Sequence, residues 1–140
     1  MDFGSRPVHP QSDPPDAGTK HLVPAALAIL GLASAAQAHP KLLSASPAPN
    51  ATVAKPARLA LRFSEKLMPK FSGADLMMTA HGGAAHPPMK VAAAAGVADD
   101  GRTLIVTPKA PLAAGRYSVA WHVVSVDTHR VAGNFAFAVK

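Results

Sequence analysis

Tyr117-Ser118-Val119-Ala120-Trp121-His122-Val123-Val124 alternates large apolar side chains with mostly small or polar ones, and that alternation decides the fold. Successive side chains of an extended chain point to opposite faces. Tyr117, Val119, Trp121 and Val123 therefore line one side, and Ser118, Ala120, His122 and Val124 the other. Downstream the device repeats, with Val131, Gly133, Phe135, Phe137 and Val139 on one face and Asn134 and Ala138 on the other. Upstream, Ala113-Ala114-Gly115 leads into the strand, and the turn Asp99-Asp100-Gly101 precedes a β-rich run carrying Leu104 and Val106. Residues 58–64 alternate as well, Leu59, Leu61 and Phe63 against Arg58, Ala60, Arg62 and Ser64. Residues 42–46 begin an extended segment that a turn cluster of Pro47, Pro49 and Asn50 closes.

Between these runs the pattern is less decisive. Residues 67–71 contain Pro69 and read as a turn rather than a helix. Residues 74–79 read as a strand, followed by a Gly- and Pro-rich loop over 81–88. Residues 89–97 are mostly alanine and suit strand and helix equally on local grounds. About six or seven short strands, with turn signals at roughly 8–12 residue spacing, predict an all-β domain, a sandwich or Greek-key barrel.

Residues 22–36 are apolar and end in Ala36-Gln37-Ala38, the pattern of a secretory leader and its cleavage site. The stretch is short for a membrane span, which needs about 20 apolar residues. The reading is a signal peptide over residues 1–38, cleaved after Ala38, with an uncleaved N-terminal anchor as the alternative. The long, proline-rich start, with Asp2, Asp13 and Asp16 against Arg6 and Lys20, is unusual for a leader. Residues 39–140 would then be one mature domain holding twelve Lys and Arg against five Asp and Glu, a formal charge of +7. These charges are scattered, without the clustering a nucleic-acid face needs. They suit solubility and attraction to an acidic partner or membrane surface. With no cysteine, thiolate metal chemistry is excluded, and a metal site must use nitrogen, oxygen or thioether ligands.

Cleavage after Ala38 makes His39 the N-terminus, so that one residue offers an amine and an imidazole to a metal. Pro40 has no backbone N–H, which prevents the next peptide nitrogen from joining the chelate. Further ligands must come from elsewhere in the fold. Ser125-Val126-Asp127-Thr128-His129 supplies them, because residues two apart in an extended segment point the same way. An amine, the imidazoles of His39 and His129 and the carboxylate of Asp127 form the mixed set that tetragonal Cu(II) prefers.

At this point the chain resembles the CopC-type periplasmic copper-resistance proteins. The resemblance rests on His39-Pro40-Lys41-Leu42, Ser46-Pro47, Leu61-Arg62-Phe63-Ser64-Glu65, Gly115-Arg116-Tyr117, and Trp121 through Asp127 and His129 to Gly133 and Phe137. It implies an Ig-like or cupredoxin-like β-barrel that carries copper in the periplasm and performs no reaction. His39, Asp127, His129 and Glu65 are the Cu(II) positions it implies. It also implies a copper-receiving inner-membrane transporter of the CopD type as partner, with no nucleic acid and no stable membrane insertion after cleavage. A second site, for Cu(I), falls on Met78, His81, His86 and Met89, where His81 and Ala84 replace methionines of the Met-rich pattern.

Two other readings compete with a carrier. A histidine brace also serves oxidative copper enzymes that cleave polysaccharides, but Asp127 would fill the position that oxygen needs. The chain also has just one Trp and one Tyr, both assigned to an inward face. A periplasmic binding module with incidental metal is the third reading.

Overall fold

The computed structural model describes residues 39–140, together with Gly4. The signal-peptide reading of residues 1–38 falls outside the described residues. Nine strands follow in order: β1 (Leu42–Ser46), β2 (Thr52–Val53), β3 (Leu59–Phe63), β4 (Gly73–His81), β5 (Ala84–Val91), β6 (Ala93–Val97), β7 (Thr103–Pro108), β8 (Gly115–Val124) and β9 (Arg130–Val139). They form two sheets, β1-β3-β7-β6 and β2-β9-β8-β4-β5, packed as a sandwich rather than closed as a barrel. The strand count exceeds the sequence expectation because β2 is too short to show a pattern and the alanine-rich stretch splits in two.

The core is the two inner faces. Leu59, Leu61, Phe63, Leu104 and Val106 come from one sheet; Leu76, Tyr117, Val119, Val123 and Phe137 come from the other, and all are buried. β8 pairs with β9 from Gly115↔Val139 to Val124↔Arg130, so the two most regular alternations in the sequence are neighbours in one sheet. Their faces are as predicted, with one exception. Val124 belongs by parity to the outer face yet is buried. The segment around the 3-10 turn Pro69–Phe71 folds over it, with Met68 N donating to Val124 O (2.7 Å) and Val124 N donating to Ser72 Oγ (3.1 Å).

The loop expected over residues 81–88 is instead the tip and return strand of a hairpin. Gly82 and Gly83 take φ of 58° and 81°, the left-handed pair that a two-residue primed turn requires. β5 then runs back along β4 with Met89 opposite Met78, interrupted by a register shift between Met78 and Ala80. Beyond Ala92 the chain crosses to the other sheet as β6.

Gly133 explains how the core closes beneath the end of β8. It pairs with Trp121, and a Cβ there would press on the indole, with Cε2 2.8 Å away and Cζ2 nearer still. Gly133→Ala is expected to destabilise the domain by about 1–3 kcal/mol, the usual range for overpacking. Urea unfolding followed by tryptophan emission measures it; an unchanged midpoint would show that the indole slides aside freely.

Candidate metal centre

The ends of β3 and β8 and the starts of β1 and β9 meet at one pole of the sandwich. Ser64, just past β3, holds the N-terminal segment from both sides: Lys41 N donates to Ser64 Oγ (2.9 Å) and Ser64 N donates to Lys41 O (2.9 Å). Pro40 is fully buried while His39 before it is exposed, so the proline anchors the histidine at the rim. Leu67 bridges to Ser125, and Val126 N donates to Lys66 O (3.0 Å). Residues 64–67 thus join the N-terminal segment to the turn that follows β8.

That turn is not the extended segment expected from the sequence. Ser125 N donates to His129 O (2.9 Å) and Thr128 N to Ser125 O (2.8 Å), closing a tight loop with Thr128 at φ 75°. A β-branched residue in the left-handed region is strained. The loop, and not strand parity, brings Asp127 and His129 together. Asp127 Oδ2 lies 3.1 Å from His129 Nδ1. The imidazole of His39 stands edge-on to that of His129, centroids 4.7 Å apart and planes at 75°.

His129 is therefore the hub, and its Nδ1 is the informative atom. The side chain is 43% exposed, but Nδ1 is buried and makes no aligned hydrogen bond. The Asp127 oxygen is close without lying along an N–H direction, so the contact is electrostatic. A buried polar atom without a partner is costly and calls for an explanation. Asp127 is held on its far side, where Ser125 Oγ donates to Oδ1. That hydrogen bond first, and the His129 imidazole after it, keep the Asp127 carboxyl below the usual carboxylate range. Ser125 is 1% exposed and was given no role from the sequence alone. The available signal was parity: the alternation of Trp121 and Val123 carried one step further turns Ser125 inward.

Three of the expected residues, His39, Asp127 and His129, are thus brought together in a chain of two contacts. Among the described residues no three His, Asp or Glu side chains converge as a preformed cluster around one point. Glu65 is half-buried between Ser64 and Lys66, in the same frame, and belongs to neither of the ion pairs among the described residues. The nitrogen and oxygen donors and the orphaned Nδ1 fit a first-row divalent ion.

The other four candidates sit at the far pole. β4 runs from Gly73, opposite His122, to His81, opposite Gly115 at the start of β8. Met78 and Met89 face each other across the hairpin; Met78 packs on the core and Met89 is 61% exposed. Both histidines engage backbone carbonyls, His81 Nδ1 with Ala114 O (3.1 Å) and His86 Nδ1 with Pro87 O (2.8 Å). His122 lies exposed on the outer face against Gly73.

A family model described as the CopC domain matches residues 42–140. The chain belongs to the CopC family. It is 56% identical over 110 residues to copper resistance protein C of Xanthomonas campestris pv. juglandis, covering 78% of this chain and 87% of that protein. The crystal structure of PcoC, a methionine-rich copper resistance protein of Escherichia coli, superposes with a TM-score of 0.69 at 46% identity, over 74% of this chain and 100% of that one. CopC of Methylosinus trichosporium OB3b superposes with a TM-score of 0.64 at 30% identity, over 73% and 94%. The part matched as a CopC domain includes Glu65, Asp127, His129 and the hairpin; His39 precedes it.

Proposed function

We propose that this chain is a periplasmic Cu(II) carrier, exported and cut after Ala38. The amine and ring of His39, the imidazole of His129 and the carboxylate of Asp127 take the ion, with Glu65 at the rim. The observation that carries the reading is His129, whose buried Nδ1 makes no aligned hydrogen bond yet lies 3.1 Å from Asp127 Oδ2, with its ring beside that of His39. A metal bound there would relieve its desolvation cost. The metal is cargo, handed on to an inner-membrane transporter of the CopD type. A carrier is favoured over an oxidative enzyme because Tyr117 and Trp121 are buried, 1% and 8% exposed, and form no outer aromatic face for a polysaccharide. The Met78–Met89 pair supports Cu(I) binding at the hairpin as a secondary role, thioethers being soft ligands.

The test is intact mass and electron paramagnetic resonance on protein exported by a bacterial host and loaded with one equivalent of Cu(II). A mass beginning at His39 and a tetragonal spectrum with nitrogen couplings are expected. Retention of residues 1–38, or a spectrum indifferent to both histidines, refutes the brace. Affinity is expected to fall between pH 7 and pH 5, because the amine and imidazoles must be unprotonated to bind. Asp127, with its carboxyl lowered, stays ionised across that window and contributes nothing to the fall. Equal affinities at the two pH values refute these ligands.

Ser125→Ala removes the hydroxyl that orients Asp127, and outer partners of metal ligands are typically worth about 10–100-fold in affinity. A loss of about tenfold in a competition titration is expected, with Ser125→Thr restoring part of it. No change would mean that Asp127 needs no orienting.

A further inference from the structure

We propose that the pole opposite the candidate metal centre docks on an anionic membrane surface. β3 starts there at Leu59, β7 ends there at Pro108 and β8 starts there at Gly115. Between the segments 55–57 and 108–111 lies a cleft of about 340 Å³, with Lys55 and Lys109 at its rim and Pro56, Pro108 and Pro111 in its walls. Arg58 enters β3 beside it, and Arg116 is the second residue of β8. All four cations are exposed. The ion pairs among the described residues are Lys90–Asp75 and His129–Asp127, so none of the four is neutralised.

The acids lie elsewhere. Glu65 and Asp127 belong to the metal-centre pole, as do Asp99 and Asp100 in the turn before β7. Asp75 is within β4 and paired with Lys90. Among the described residues the cleft pole therefore carries no Asp or Glu side chain. The scattered basic residues of the sequence are sorted by the fold into a mixed pole and a predominantly basic one.

The distribution of exposed apolar residues selects the partner. Phe71, Val126 and Leu43 are 46%, 61% and 60% exposed and lie toward the metal-centre end; Met89 is on the hairpin opposite Met78. The cleft itself is lined by cations, prolines and alanines, with the exposed Met89 of that pole away on the hairpin, and it holds no aromatic or large aliphatic anchor of the kind that dominates protein–protein contacts. An anionic bilayer needs only the charge. Such docking leaves the metal centre on the side away from the lipid, and it holds whether or not copper is the cargo.

The experiment is co-sedimentation of the full chain with vesicles of phosphatidylcholine alone or with about 30% phosphatidylglycerol. Basic residues near a charged bilayer each contribute several-fold in binding, so Lys55→Glu with Lys109→Glu should weaken it at least about tenfold. Binding should also vanish on raising salt from about 50 to about 300 mM. Residues 1–38 are common to both proteins, and binding to phosphatidylcholine alone, which reports any charge-independent contribution of the apolar residues 22–36, is subtracted. The same charge change at the other pole, Lys66→Glu with Lys70→Glu, should have a much smaller effect. Equal binding by wild type and the Lys55, Lys109 variant overturns the proposal, as does equal loss from the two variants, which would show net charge alone at work. Retention on polyglutamate without binding to vesicles overturns it in favour of an acidic protein partner.

Discussion

His129→Ala is expected to weaken Cu(II) binding at least about 100-fold, beyond the roughly 10–100-fold typical of residues that only orient a ligand. His129 touches both neighbours, the His39 ring at 4.7 Å between centroids and Asp127 at 3.1 Å, whereas those two are linked only through it. Its removal leaves the exposed His39, with its imidazole and, after the proposed cut, its amine, and, separately, a carboxylate tied to Ser125. Folding should suffer little. The ring is partly solvated, its Nδ1 makes no hydrogen bond, and the loop is closed by the backbone of residues 125, 128 and 129, which alanine keeps. Competition titration against a chelator of known affinity measures the loss, with melting temperature as the control for folding. His122→Ala and His86→Ala should bind as wild type, since one lies on the outer sheet face and the other at the far pole. An affinity unchanged in His129→Ala, or lowered equally by His122→Ala, would remove the turn after β8 from the site.

What the sequence disclosed and what it withheld divide along physical lines. β8 and β9 were legible because alternating burial imposes a period of two on their residues, and only Val124 broke rank. A tertiary cover, the segment running from Met68 to Ser72, overrode its parity. The hairpin was misread because Gly82, Gly83, Pro87 and Pro88 give a loop composition, while the register shift absorbs the proline pair inside β5 without breaking the pairing of Met78 with Met89. Its outer strand is mostly exposed, so no apolar alternation marked it. The grouping at the candidate metal centre could be anticipated in residue types but not in geometry. Asp127 and His129 were paired by a strand argument that does not apply, since a left-handed Thr128 folds the segment back on itself. Ser64, which holds the N-terminal segment in place, and Ser125, which holds Asp127, act through hydrogen bonds between distant segments or within a turn. No local period reports such bonds.

Phe63→Ala is expected to destabilise the metal-free domain by about 3–5 kcal/mol, the usual range for truncating a buried aromatic. Phe63 is 0% exposed at the last position of β3, and its ring meets Trp121 edge-on, centroids 5.1 Å apart and planes at 67°. The aromatic pair itself accounts for about 0.5–1.5 kcal/mol; the rest is lost burial and the cavity left behind. The site is poorly placed to collapse. Trp121 is backed by Gly133, and Phe63 N is fixed by its hydrogen bond to Arg102 O (2.8 Å). Small domains are stable by only about 5–15 kcal/mol, so this one change removes a large share. The cavity would also lie directly before Ser64, whose hydrogen bonds hold the segment that positions His39, so copper affinity should fall with stability. Leu61→Ala, two residues deeper in the same strand, should cost about 2–5 kcal/mol while leaving affinity near wild type. Urea unfolding of both variants with and without Cu(II) separates the two effects: Phe63→Ala should gain less from the metal than Leu61→Ala. Equal gains would show that the metal centre is insulated from the core layer beneath it, and a loss under about 1 kcal/mol for Phe63→Ala would mean that Trp121 moves to fill the space.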